Sequence, residues 1–217
     1  MFVADSTTDY PAPTPPTVGL SLGVVTLAGL VDAVSYLEYN RVYVSIMSGN
    51  TTALGVAVAN GQHAQAGRLG LVVGLFVGGV VLGTGLHRVA RRQPASVVLG
   101  VVAALLLLAY AWPALAIECL ALGMGIINAS VHQLGGVNVS LTYVTGALVK
   151  AGTGLADLLS GRPASRDWAW QALGWVCFLA GSFGGALIWA YWGLETLVAA
   201  SGCCLLLALW ARRVPVA

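Results

Sequence analysis

Eight apolar stretches account for most of this chain, and they leave little choice of fold. They run at about 17–37, 42–60, 68–88, 95–112, 113–131, 140–160, 168–191 and 193–211. About 20 apolar residues span a bilayer as a helix. Only 8% of the 217 residues are charged, against 58% hydrophobic. A soluble domain carries roughly 25% charged residues, so this chain cannot cover a water-facing surface at that level. The expected class is all-α: a polytopic membrane protein. The net charge of +2 comes without a basic run, which argues against nucleic acid as a partner.

Two of the stretches are interrupted. The second carries Ser48-Gly49-Asn50, and the sixth is broken around Thr145-Gly146 and carries Lys150. Each follows a helix with a polar residue near its end, Asp32 in one case and Asn128 in the other. Each precedes a glycine-striped helix: Gly70, Gly74 and Gly78, with Gly79 and Gly83 beside them, then Gly181 and Gly185. Small residues at this spacing let helix backbones approach closely. A plain apolar helix closes each half. The order reads as an internal duplication. Residues 1–16, with Asp5, Asp9 and prolines 11, 13, 15 and 16, are expected to be a disordered tail. No basic residue precedes the first apolar stretch, as a cleavable signal would require. Residues 17–112 and 113–213 form the two membrane repeats.

The arginines favour six crossings over eight. If all eight stretches span, Arg88, Arg91 and Arg92 oppose Arg68, Arg162, Arg166, Arg212 and Arg213. If the two interrupted segments enter and leave on one side, six helices span. Only Arg41 and Arg68 then oppose the other seven, which fits the positive-inside rule better. Three spans per half inverts the second repeat relative to the first. This arrangement predicts six transmembrane helices plus two broken or re-entrant segments, with both termini cytoplasmic. Two full crossings with broken middles are the alternative. Tyr110, Trp112, Trp168, Trp170, Tyr191 and Trp192 lie at segment ends, as an aromatic belt would.

Asp32 carries the strongest chemical signal, because an ionisable group inside a membrane helix is costly and reads as functional by default. Ser35 and Tyr36, three and four positions on, share its face. The functional reading is a proton- or cation-coupling carboxylate. The structural one is an acid paired with Lys150 or capping a helix break. Ser48, Gly49, Asn50 and Thr51 suit a break followed by a half-helix starting near Thr51. Its N–H groups would face an anionic or carbonyl-bearing group. Thr142, Tyr143, Thr145 and Gly146 would form the mirrored break. Lys150 would pair with Asp32, bind an anion, or snorkel to the interface. Asn128 stands at the position equivalent to Asp32, as a ligand or as interhelical glue. Cys119, Cys177, Cys203 and Cys204 lie in apolar segments without a CxxC and read as packing residues. No metal or cofactor is implied.

The pattern Gly29-x-x-Asp32-Ala-x-Ser35-Tyr36, then Tyr43-Val44 and Met47-Ser48-Gly49-Asn50-Thr51, resembles the YoaK-like family. Gly125-x-x-Asn128-Ala and Thr142-Tyr143-Val-Thr145-Gly146 resemble that family's second signature. Ser48 stands where Thr is usual, and Ile127 stands where Gln is usual. The likeness covers most of residues 18–210. It implies a bacterial inner (plasma) membrane protein, multi-pass and of unknown function, and supplies no substrate.

Three functions compete. A secondary transporter or channel for a small solute fits the inverted repeats, the broken segments and the lone acid. A non-transporting scaffold or partner protein would use the glycine stripes as homodimer faces. An intramembrane enzyme lacks support: no HExxH, GxSxG or paired intramembrane aspartates occur, and His63, His87 and His132 sit near segment ends. The expected partners are the lipid bilayer and a small molecule or ion, and the chain is not expected to be an enzyme.

Overall fold

The computed structural model describes residues 15–90, 93–131, 144–162 and 167–214. Regular structure among these residues is helical: α1 Pro15–Glu38, α2 Met47–Ala59, α3 His63–Val89, α4 Pro94–Ala111, α5 Ala116–Val131, α6 Val144–Leu159, α7 Asp167–Trp192 and α8 Thr196–Ala211. Short 3₁₀ turns at Pro113–Leu115 and Gly193–Glu195 lead into α5 and α8. In lipid each backbone N–H and C=O must be satisfied within the protein, and a helix does this locally. Pro15, Pro16 and Pro94 occupy first turns, where a missing N–H costs nothing.

The two short helices end alike. Gly61 after α2 and Gly161 after α6 have φ of +67° and +68°, a conformation glycine adopts freely. Gly61 and Gln62 donate back to Val58 and Ala57; Gly161 and Arg162 donate back to Leu158 and Asp157. Both are Schellman closures.

Four helical stretches are long and apolar enough to cross a membrane: Pro15–Glu38, His63–Val89, Pro94–Ala111 and Trp168–Ala211, the last holding both α7 and α8. The shorter apolar helix at Pro113–Ala129 falls below that length. The difference from six expected spans arises there and in the α7–α8 stretch.

Chain directions follow from the contacts. Gly181 lies against Thr26 and Gly185 against Leu30, so α7 runs parallel to α1. Gly79 lies against Leu122 and Gly83 against Ile126, so α3 runs parallel to α5. Gly19 meets Trp210 and Gly23 meets Leu207, so α8 opposes α1. In the α4–α8 seam Ser201 Oγ donates to the Ala103 carbonyl at 3.0 Å and Cys204 Sγ to that of Leu99 at 3.1 Å. Arg212 Nε reaches Ser96 Oγ at 3.2 Å, so the end of α8 lies beside the start of α4.

The first helix of each half therefore packs on the third helix of the other. These seams are backbone-tight. A methyl group at Gly29 would strike the Phe178 carbonyl, and one at Gly125 would strike that of Phe76. Methyls at Gly181 and Gly185 would meet the carbonyls of Thr26 and Leu30; at Gly79 and Gly83 they would meet those of Leu122 and Ile126. The two seams correspond position by position, with α1 and α5 offset by 96 and α3 and α7 by 102. The α3 stripe of Gly70, Gly74 and Gly78 instead faces open space. The buried core lies among α1, α4, α5 and α8, around Leu20, Leu99, Leu120, Met124, Ile127 and Leu197. All four cysteines are free, with Cys204 buried in the α4–α8 seam.

Candidate functional site

The chain turns back on itself at the end of α1. Asn40 and Arg41 take positive φ, 56° and 63°, and Arg41 N–H closes on the Tyr36 carbonyl at 3.0 Å. The non-helical segment 42–46 then runs back beside α1 to the level of Asp32. Asp32 lies six residues, or roughly 9 Å at 1.5 Å per residue, before the helix ends. Such a segment forms no internal ladder, so its backbone groups need partners from elsewhere.

Asp32, Ser35 and Asn50 supply them. Ser35 Oγ donates to the Val42 carbonyl at 3.0 Å. Asn50 grips Tyr43 twice: Oδ1 accepts its N–H at 3.1 Å and Nδ2 donates to its carbonyl at 2.5 Å. Asp32 Oδ1 accepts the N–H groups of Val44 at 2.8 Å and Ser45 at 2.9 Å, and its Oδ2 accepts the Ser45 hydroxyl. Asp32 is 3% exposed, Ser35 and Ser45 0%, and Asn50 1%. Three donors converge on the carboxylate. Hydrogen bonds to a charged group are each worth ~1.5–3 kcal/mol.

The half-helix begins at Met47, four residues before the expected start. Its N-cap is Ile46, without a side-chain cap. The reason is that Asn50 is spent on Tyr43. Thr51 and Thr52 do not cap either: their hydroxyls return to the Met47 and Ser48 carbonyls at 2.8 and 3.1 Å. Gly49 faces the Tyr43 ring, and Ser48 and Thr51 are exposed.

A cleft of about 240 Å³ opens beside this clamp, between α1, the returning segment and α7. Asp32, Tyr36, Tyr43, Phe178, Ser182 and Ala186 line it. The Tyr36 and Tyr43 rings lie 5.2 Å apart at 34°. Ser182 Oγ donates to the Phe178 carbonyl at 3.0 Å, and Trp189 Nε1 donates to Glu38 Oε2 at 3.0 Å further along the same seam. Ser45, Phe178 and Ser182 carry no motif of their own. Ser45 is marked only by a hydroxyl three residues before Ser48. The other two are found by noticing that they flank Gly181.

The second polar layer is differently placed. Asn128 is 5% exposed; its Nδ2 donates to the Met124 carbonyl at 2.8 Å, and Oδ1 has no partner among the described residues. Thr142, Tyr143 and His132 lie outside the described residues. Gly146 is buried in the first turn of α6, while Thr145 and Lys150 are exposed. The helix α6 packs along α7, with Trp168 over Gly154. Of the roles open to Lys150, pairing with Asp32 is not seen among the described residues. The Asp32 carboxylate is taken by Val44 and Ser45 instead, and no hydrogen bond among the described residues joins it to α6.

Comparison with known proteins gives two matches. The model of a family described as a protein of unknown function, DUF1275, matches residues 20–210. The UPF0700 transmembrane protein RA0705 of Rhizobium meliloti (strain 1021) is 36% identical over 200 residues, covering 91% of this chain and 88% of that protein. No solved structure matches.

Proposed function

The chain belongs to the DUF1275 family, and from that premise we propose that this multi-pass membrane protein moves a small solute across the bacterial inner membrane, with Asp32 as its coupling carboxylate. The reading has six crossings, by α1, α3, α4, α5, α7 and α8, and two re-entrant segments ending in α2 and α6. The parallel pairs α1–α7 and α3–α5 and the opposed α4–α8 support it. So does the descent of segment 42–46 to the depth of Asp32, from which α2 climbs back out. In this arrangement Arg88, Arg162, Arg212 and Arg213 lie on one face and Arg41 and Arg68 on the other. The positive-inside rule then makes the first face, with both termini, cytoplasmic. The matched seams support a pair of inverted repeats, and such repeats put a substrate site where broken helices start near the midplane.

The observation that carries the reading is a buried carboxylate that both lines the cleft and holds the re-entrant backbone. A proton on Asp32 would cancel its charge and turn one acceptor into a donor facing Ser45. Segment 42–46 would lose part of its anchorage, and the wall of the cleft with it. Protonation and access are then one event. Proteoliposomes loaded with a pH-sensitive dye test this. A solute that drives proton flux through the wild type should fail to do so through Asp32→Asn. Unchanged proton flux in that variant removes Asp32 from the mechanism.

A second, non-transporting reading rests on the open glycine face of α3. A side-chain carbon added at Gly70, Gly74 or Gly78 would meet nothing within 4 Å, and a second copy would be seated there. Cysteines placed at those three positions would crosslink between copies in membranes if it holds, and stay monomeric if it does not.

A further inference from the structure

We propose that the cleft beside Asp32 takes a small organic cation, an amine or quaternary ammonium, rather than an anion or an uncharged solute of the same shape; this deepens the transport reading above and rests on the cleft being the solute's site. Among the described residues that line it, Asp32 is the only charged one. An anion entering would meet a carboxylate in a low-dielectric wall with no cation among the described lining residues to offset it. Lys150 is exposed on α6, and Arg41, near enough to act electrostatically on Tyr43, is exposed at the turn before it and does not line the cleft.

For a neutral polar solute the lining offers mainly the Tyr36 and Tyr43 hydroxyls. The Ser182 hydroxyl is given to the Phe178 carbonyl, and the N–H groups of Tyr43, Val44 and Ser45 are held by Asn50 and Asp32. A cation finds two kinds of partner. A carboxylate has about four lone-pair sites, of which Val44, Ser45 N–H and Ser45 O–H use three. The rings of Tyr36, Tyr43 and Phe178 add π faces, which attract ammonium and guanidinium groups. A volume near 240 Å³ lies below the ≈300 Å³ where drug-sized pockets begin, which restricts the guest to a few carbons around one nitrogen.

Tetramethylammonium and its neutral isostere neopentane are the probes, with acetate as the anionic control, against the full chain in lipid nanodiscs. Tetramethylammonium should bind saturably and the other two should not. Tyr36→Phe should keep the affinity and Tyr36→Leu should weaken it roughly tenfold, within the range of a desolvated cation–π contact. Ala186→Trp should abolish binding without touching the Asp32 clamp. Binding of neopentane or acetate as tight as that of tetramethylammonium overturns the proposal, and so does ammonium binding that survives Ala186→Trp. Flux assays separate this failure from that of transport. A solute moved by wild type, blocked by Ala186→Trp and indifferent to ammonium compounds, sinks the cation class and leaves transport standing. Ammonium binding without flux of any tested amine keeps the cation class and sinks transport.

Discussion

The seam between α1 and α7 and the seam between α5 and α3 share one backbone geometry and differ in their polar chemistry. In both, glycines bring carbonyls of one helix against the α-carbons of the other at matching positions. Yet Asp32 on α1 spends its carboxylate on three donors of the returning chain, while Asn128 on α5 turns one amide hydrogen to its own helix and leaves Oδ1 without a partner among the described residues. Packing matches between the two seams more closely than chemistry does. Close helix contact needs only small residues in register, which two seams can share while their polar residues differ.

The sharpest way to break this comparison is truncation at both polar positions. Asp32→Ala strands two buried N–H groups, each costing ~1–3 kcal/mol, so a loss of roughly 2–6 kcal/mol is expected. Asn128→Ala removes one hydrogen bond to a carbonyl already inside a helix and should cost about 1 kcal/mol. Thermal unfolding in detergent reads both. Equal losses would mean that the Asp32 clamp is no stronger than its counterpart. Next come the seams. Gly181→Ala and Gly79→Ala both press a methyl onto backbone carbonyls that cannot rotate away, and each should lose ~1–3 kcal/mol. Similar values would sharpen the equivalence, and a large loss at only one would break it. The smallest effect is expected at Gly70→Ala, whose new methyl meets open space. With nothing to strike, it should gain up to ~1 kcal/mol from helix propensity. A loss there would mean that this face is covered in the membrane.

Much of the architecture was legible in the sequence. Apolar length and low charge required membrane helices, and the two interrupted stretches marked where the short helices α2 and α6 lie. The start of α2 was misplaced because capping statistics assign Asn50 and Thr51 to their own helix end. Asn50 instead reaches seven residues back to Tyr43, and no local rule reports that. Asp32, Ser35 and Asn50 stood out as polar residues in apolar surroundings, but their shared task, satisfying the backbone of 42–45, depends on a chain reversal at Asn40 and Arg41. The glycine spacing on α3 could not say which of two adjacent faces is packed. Gly79 and Gly83 are, whereas Gly70, Gly74 and Gly78 are not. Phe178 and Ser182 were invisible because they reach the cleft through a pairing of helices some 150 residues apart.

That distance bears on how the chain assembles. The contacts of α3 with α5 join residues 43 positions apart, such as Gly79 and Leu122, while those of α1 with α7 join residues 155 apart, such as Thr26 and Gly181. Synthesis runs from the N-terminus, so α3 and α5 can meet while α7 is still unmade. For all that time α1 sits in the bilayer with its glycine face open and Asp32 secured only by the local clamp. The matching seams of the finished protein are laid down at unequal times, and the helix that carries the acid is the one that waits.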